Sequence, residues 1–336
     1  MKTATPRFIV SVVLVVVCIS GLFVAAGVGA PLANIETLAV SPRDMAALPS
    51  DDLDEVASGL NVTGVGQKVY LKAQPEEGAT IGGYEWEVTS RPRGSGAPLS
   101  ATSGDFITFR PDVIGVYTIT LTPLDGSMQP TESVNKQLYV GTWVGAGVFN
   151  THTTPRPIAP MCGTRFCHGG DNATPRLNVT DSWLQSKHAN KLQNHMNGVY
   201  GAHYAVSCLP CHTLGFDDNP SAVNEGFDDV ANAISYDLSE IPLLVEDAAT
   251  SHLENFPLLP AELQNLASIQ CESCHGPGSL HPANLLQPDH GIAGANLSQK
   301  ACAQCHDSAS GFQQGFYQWN ASSHPLPAAA GEGHAS

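Results

Sequence analysis

Four cysteine pairs in this 336-residue chain are each followed at once by a histidine. Cys162-Gly-Thr-Arg-Phe-Cys167-His168 comes first, with a widened gap between its thiols. Cys208-Leu-Pro-Cys211-His212, Cys271-Glu-Ser-Cys274-His275 and Cys302-Ala-Gln-Cys305-His306 carry the ordinary two-residue gap. C-x-x-C-H is the attachment signature of c-type haem, in which both sulfurs form thioethers to the porphyrin and the adjacent histidine ligates the iron. A wider first gap still permits both thioethers if the loop bulges. The four motifs take eight of the nine cysteines and leave Cys18 in an apolar N-terminal stretch. Zinc ribbons or a disulfide framework are the alternatives, but neither requires a histidine directly after every second cysteine. The expected cofactors are therefore four covalent haem c groups, and the chain must fold around them.

The N-terminus predicts export. Lys2 and Arg7 precede an apolar run from Phe8 to Val28, which is followed by Gly29-Ala30. A charged start, a long apolar stretch and a small-residue exit describe a secretory signal over residues 1–30. Cleavage near Ala26 or Ala30 is the preferred reading; an uncleaved anchor stays open, since about 20 apolar residues also span a bilayer. Contact with a membrane is expected only through that segment. The net charge of −16 repels nucleic acid and supports solubility. The expected location is extracellular or at the cell surface.

Residues 31–142 contain no cysteine and read as β-strands. Val69–Ala73, Gly83–Val88, Phe106–Phe109 and Val116–Leu121 are short, rich in aromatic and β-branched residues, and bounded by turn formers. Alternation places Tyr84, Trp86 and Val88 on one inward face. Asp112, Gly115 and Tyr117 match the corner of immunoglobulin-like sandwiches, where the phenol bonds back to backbone. Together with the earlier Trp86, this stretch resembles the PKD type of Ig-like domain, which implies a spacer or adhesion module.

Residues 143–336 form the expected tetrahaem domain. Its ordinary apolar content is too thin for a conventional core, so the haems are expected to supply much of the buried surface. Regular structure should be sparse: a helix over 183–189 capped by Asp181-Ser182, another over 227–234 and a third over 260–267. The fold class is thus mixed, an N-terminal all-β sandwich followed by a haem-packed domain with a few short helices.

Four of the thirteen histidines close the motifs and nine remain as sources of the other axial ligands. Met161 and Met196 are too few to complete four irons. Trp183-Leu-Gln-Ser-Lys-His188 and Trp319-Asn-Ala-Ser-Ser-His324 repeat the pattern W-x-x-S-x-H, which sets an aromatic wall about one helical turn from an imidazole. His281 follows a Gly276-Pro277-Gly278 turn that redirects the chain, and His203 sits just before Cys208. His188, His203, His281 and His324 are the preferred distal ligands; His152 and His195 are reserves. His252, His290 and His334 read as ordinary exposed histidines.

The order of these blocks resembles the tetrahaem subunits of extracellular cytochrome filaments, the cytochrome nanowires. The resemblance runs over roughly residues 145–325 and is carried by Trp183–Ala189, His203–Phe216, Gly226–Ala231, Cys271–His281 and Gln318–His324. It implies bis-histidine haems in a continuous chain, a homopolymeric filament, and ligand roles for His188, His203, His281 and His324. Redox partners or extracellular electron acceptors would be its other contacts. A monomeric exported carrier is the alternative, resembling the tetrahaem cytochrome that accepts electrons from hydroxylamine oxidation. A reductase of nitrogen or sulfur oxyanions is the third reading. It would need an open iron position and nearby basic residues, whereas the histidine surplus can close every iron. The expectation is an electron-transfer protein with no catalytic residues.

Overall fold

The computed structural model describes residues 31–47, 53–147, 162, 168, 179–283 and 299–307. The expected signal segment over residues 1–30, Cys167, His152, His290, His324 and His334 lie outside the described residues.

The N-terminal region forms two four-stranded sheets. One is built from β1 (Ala33–Val40), β2 (Ala57–Ser58), β4 (Val69–Pro75) and β6 (Phe106–Phe109), in the order β2-β1-β4-β6. The other takes β3 (Val62–Gly64), β5 (Ile81–Ser90), β7 (Gly115–Asp125) and β8 (Val134–Gly141), in the order β3-β8-β7-β5. All neighbours are antiparallel except β3 and β8, which run parallel. The architecture is consistent with a β-sandwich.

Strand alternation drives this arrangement. In β7, Tyr117, Ile119 and Leu121 are fully buried, while Thr120 on the other face bonds Asn135 and meets the Thr89 hydroxyl at 2.7 Å. Trp86 is buried opposite Leu121 and donates its indole N–H to the Gly104 carbonyl at 2.8 Å; Tyr84 and Val88 pack against the same core. Each large side chain so buried stabilises the fold by about 1.5–3 kcal/mol before entropy is counted. The corner forms as the sequence predicts. The Tyr117 phenol accepts the Val113 amide at 3.0 Å and lies 2.9 Å from the Val113 carbonyl and 3.0 Å from Asp112.

The rest is helical in short pieces. After α1 (Pro42–Ala47) come α2 (Thr180–Leu184), α3 (Lys191–Met196), α4 (Leu209–His212), α5 (Phe227–Ala233) and α6 (Glu240–Ser251). Then follow α7 (Ala261–Asn265), α8 (Cys271–His275), α9 (Leu280–Ala283) and α10 (Ala303–His306). Two expectations need correction. The first helix starts at Thr180 and stops at Leu184, with Val179 at its N-cap and no side-chain cap bond. Asp181 and Ser182 therefore lie within the helix instead of capping it. The second concerns the core, which is not thin. Leu192, Met196, Leu209, Phe227, Ile241 and Val245 belong to a continuous buried cluster that also takes in Phe256, Leu263 and Leu266. Its source is helical spacing: Ile241, Val245 and Ala248 line one stripe of α6, and Phe227 and Ala231 one stripe of α5. Met196 is a core residue. His252 closes α6 in the left-handed conformation, with its amide on the Ala248 carbonyl, and stays exposed.

The sandwich is joined to the helical region at several points. Arg43 pairs with the buried Asp307 at 2.6 Å, and the Ser41 hydroxyl bonds the same carboxylate at 2.8 Å. Asn219 donates to Glu55 at 3.0 Å, and Thr142 donates its amide to the Ser279 hydroxyl at 2.8 Å. Gly276, at φ +81°, lies so close to β3 that a Cβ there would stand 2.8 Å from Val62.

Candidate functional site

Each fully described C-x-x-C-H motif folds as one tight helical turn. A turn of 3₁₀-helix over Val206–Cys208 leads into α4, α8 holds the third motif, and a 3₁₀ turn over Gln299–Cys302 leads into α10. This local fold places the paired thiols about a turn apart with the histidine at the helix end. In the widened first motif, the His168 amide bonds the Cys162 carbonyl at 3.1 Å.

Three motif histidines face a second histidine from a distant segment. The ring centroids of His168 and His281 lie 6.5 Å apart, with planes 23° apart. The ring centroids of His188 and His306 stand 6.0 Å apart, with planes 61° apart. His195 and His212 stack at 5.1 Å. Metal–imidazole bonds run about 2.0 Å and a ring centre lies about 1.2 Å behind its nitrogen, so two rings on opposite sides of one ion sit ~6.3 Å apart. The first two pairs match that spacing. The third is closed up by about an ångström relative to it. Among the described residues no three His, Cys, Asp or Glu side chains converge into a conventional metal cage, and the cysteines there are free thiols. Two-imidazole pairs beside free thiol pairs fit a covalently attached haem in donor chemistry and spacing.

His195 is 9% and His212 8% exposed, and the Nδ1 atoms of both are buried with no hydrogen-bond partner. Burial, followed by Lys191 and His203 for the first and by His195 and Lys191 for the second, lowers each pKa to about 4. Both are neutral at physiological pH, the form that offers a lone pair to a metal. Tyr204 lies 4.9 Å from His195 and 5.7 Å from His212, and Tyr200 lies 4.8 Å from His195. The Tyr204 hydroxyl is buried without a partner, and burial drives its pKa far up. Partial burial and the neighbouring His306 lower the pKa of His188, which keeps an exposed face.

The backbone between Leu266 and Ile269 organises these groups. The Ser268 amide bonds the His212 carbonyl at 2.8 Å, and the Ile269 amide bonds that of His188 at 3.2 Å. The Ser268 hydroxyl accepts the Leu192 amide at 2.9 Å, and the Trp183 indole donates to the Ile269 carbonyl at 3.0 Å. Trp183 thus fixes the turn that carries His188 against the segment leading to Cys271. Ser268 is buried at φ +69°, a costly conformation held by these bonds.

The thiols of different motifs also meet. The neighbouring Cys271 sulfur and burial raise the Cys162 thiol, and the neighbouring Cys162 lowers the Cys271 thiol. Cys211 and burial likewise raise the Cys305 thiol, and Cys305 lowers that of Cys211.

Of the distal histidines preferred from sequence, His281 and His188 lie opposite motif histidines. Among the described residues His203 is exposed and faces no motif ring, while His195, one of the reserves, lies opposite His212. His275 is half-buried at the end of α8. Glu272, inside the third motif, was not singled out in the sequence. It is 2% exposed and accepts the amides of Val144, Gly145 and Gly278, at 2.7 Å from Gly145 and 2.5 Å from Gly278. Burial outweighs those bonds and raises its pKa to about 7.

No family model matches the chain, and no curated protein matches it. Among solved structures the chain is similar to the solution structure of the PKD domain from KIAA 1837 protein. The identity is 21% with a TM-score of 0.21, over 23% of this chain and 76% of that one. The sandwich rests on its own strands and register.

Proposed function

We propose that the chain is an exported electron-transfer protein that holds four covalent c-type haems and works as the repeating subunit of a conductive filament. One observation carries the haem reading: motif histidines stand against histidines from distant segments at a spacing that admits one metal ion. When bound, haem supplies one-electron iron chemistry, ferric to ferrous and back. The chain's residues supply the rest. Cys162, Cys167, Cys208, Cys211, Cys271, Cys274, Cys302 and Cys305 anchor the porphyrins. His168, His212, His275 and His306 would each ligate the iron of the haem their own motif attaches.

Distal roles fall to His281 for the first motif, His188 for the fourth and His195 for the second, leaving His324 or His203 for the third. A haem held by two imidazoles in this way would suit electron transfer and would offer no position for substrate. The buried core around Leu192, Phe227 and Val245 keeps these segments in place. Filament assembly and placement at the cell surface rest on the resemblance in motif order and on the apolar N-terminal run. The charge of −16 supports the second reading, a monomeric exported carrier, because like-charged surfaces resist close packing.

The test is expression in a host with haem-attachment machinery, followed by mass spectrometry, optical spectra and electron microscopy. Four added haems and a low-spin spectrum support the electron-transfer reading, and regular filaments support the polymer. A chain without haem overturns both. Carbon monoxide binding to the wild type moves the reading to a reductase, and dispersed haem-loaded particles move it to a carrier.

A further inference from the structure

We propose that the basic, aromatic surface formed by α3 and the turns on either side of it receives the acidic outer face of α6 from a second copy of this chain. The proposal rests on the filament reading above and deepens it by naming the contact that repeats.

Charge in this region is segregated along the chain. Residues 182–216 carry Lys187 and Lys191 and no carboxylate, whereas residues 217–283 carry no lysine or arginine. The turn between the two lysines is closed by the Lys191 amide on the His188 carbonyl at 3.4 Å. Among the described residues neither lysine sits in an ion pair. The Lys191 ammonium lies 4.4 Å from the centre of the Tyr200 ring. That ring is 43% exposed, its neighbour Val199 is 63% exposed, and it meets the His195 ring with centroids 4.8 Å apart. Cations without carboxylates beside exposed apolar groups leave both charge and apolar area to be satisfied from outside.

The outer face of α6 has the opposite character. Ile241 and Val245 on its inner stripe join Leu192 and Met196 of α3 in one core. Helical spacing puts Glu240, Leu243, Glu246 and Asp247 on the other side. All four are exposed, Leu243 at 64%. Asp247 reaches Asn255 at 3.3 Å, and among the described residues Glu240 and Glu246 sit in no ion pair. A leucine flanked by carboxylates thus stands ready for an aromatic ring flanked by lysines.

Within one chain α3 packs on the inner stripe of α6, so the acidic face points away from it. A contact between two unlike surfaces of one molecule is head-to-tail, and it builds an open filament unless its rotation closes a ring. It also supplies local attraction in a chain whose net charge of −16 otherwise opposes self-association. Docking there covers Tyr200, the exposed ring that lies against His195.

The experiment uses the full-length, haem-loaded protein, with haem content and a low-spin spectrum checked for every variant. Electron microscopy and sedimentation velocity compare four proteins: the wild type, Lys187→Glu with Lys191→Glu, Glu240→Lys with Glu246→Lys, and a chain carrying all four changes. Each double reversal should leave dispersed particles, because like charges then face each other. The chain with all four changes should regain filaments. Filaments that survive either reversal overturn the contact, and so does a fourfold variant that stays dispersed. Where a reversal fails to load haem, Leu243→Ser carries the same test by changing one exposed side chain. It should raise the protein concentration at which filaments form, and an unchanged concentration overturns the contact. A dispersed wild type sinks the filament reading itself, a failure distinct from filaments that ignore the reversals.

Discussion

The ring of His195 lies against that of His212, their centroids 5.1 Å apart, while His203, nearer to the motif in sequence, is exposed to solvent. Burial of His195 between Tyr200 and Tyr204 keeps its imidazole neutral and excludes water from the pair. In haem-loaded protein, His195→Ala should convert one iron to the high-spin form and open it to carbon monoxide. His203→Ala should leave the iron facing His212 low-spin. Electron paramagnetic resonance of the two variants checks this, and a high-spin signal in His203→Ala with none in His195→Ala would reverse the assignment.

Glu272 makes stability depend on pH. Its folded pKa is about 7 against an ordinary value of 4.5, because burial outweighs the bonds from Gly278, Gly145 and Val144. Between those values the folded chain keeps a proton that the unfolded chain has released, so stability is greatest at the acid end and falls as pH rises through the window. The full change is about 3 kcal/mol. Asp228, raised by burial to about 6, adds a slope of the same sign. Denaturant unfolding of the wild type and Glu272→Gln at matched pH values isolates Glu272. The stability of the wild type relative to the variant should fall steadily as pH rises, because only the wild type loses its proton; a difference that does not change with pH contradicts the raised pKa.

Tyr117 holds the corner between β6 and β7 through the Val113 amide and carbonyl. Tyr117→Phe keeps the buried ring, yet it strands a backbone donor and an acceptor. The expected loss is about 1–3 kcal/mol, read as a lower denaturation midpoint with an unchanged slope.

The strands were legible because a sheet repeats every two residues and writes its faces into a short stretch: Tyr117, Ile119 and Leu121 against Thr118, Thr120 and Thr122. The corner was legible because Asp112, Gly115 and Tyr117 act within one turn of chain. The helical core was not, because it is assembled from several short helices whose apolar residues meet only in three dimensions, as Leu192 joins Phe256 and Val245 in one cluster. Spacing along the chain likewise shows which histidines sit near a motif, not which motif they face. His281 follows the third motif and faces the first, and His188 precedes the second and faces the fourth. Glu272 escaped notice because a carboxylate between two motif cysteines carries no signal until the amides of Val144 and Gly145 are seen to close on it.

Asp307 is the residue through which the sandwich grips the last motif. Its carboxylate is buried, bonded by the Ser41 hydroxyl and paired with Arg43, and its backbone carbonyl accepts the Arg43 amide at 3.2 Å. Removing the charge weakens the contact between the Arg43 guanidinium and this side chain, whereas the backbone bond survives. Asp307→Asn should therefore lower stability by about 2 kcal/mol, and Arg43→Ala by less, since that side chain is a third exposed and water can reach what remains. The double variant should cost less than the sum of the two, because each single change already breaks the same pair. Denaturant unfolding of the four proteins completes the cycle. Strict additivity would show that Ser41 and the backbone, not the ion pair, hold the sandwich to the segment that carries His306.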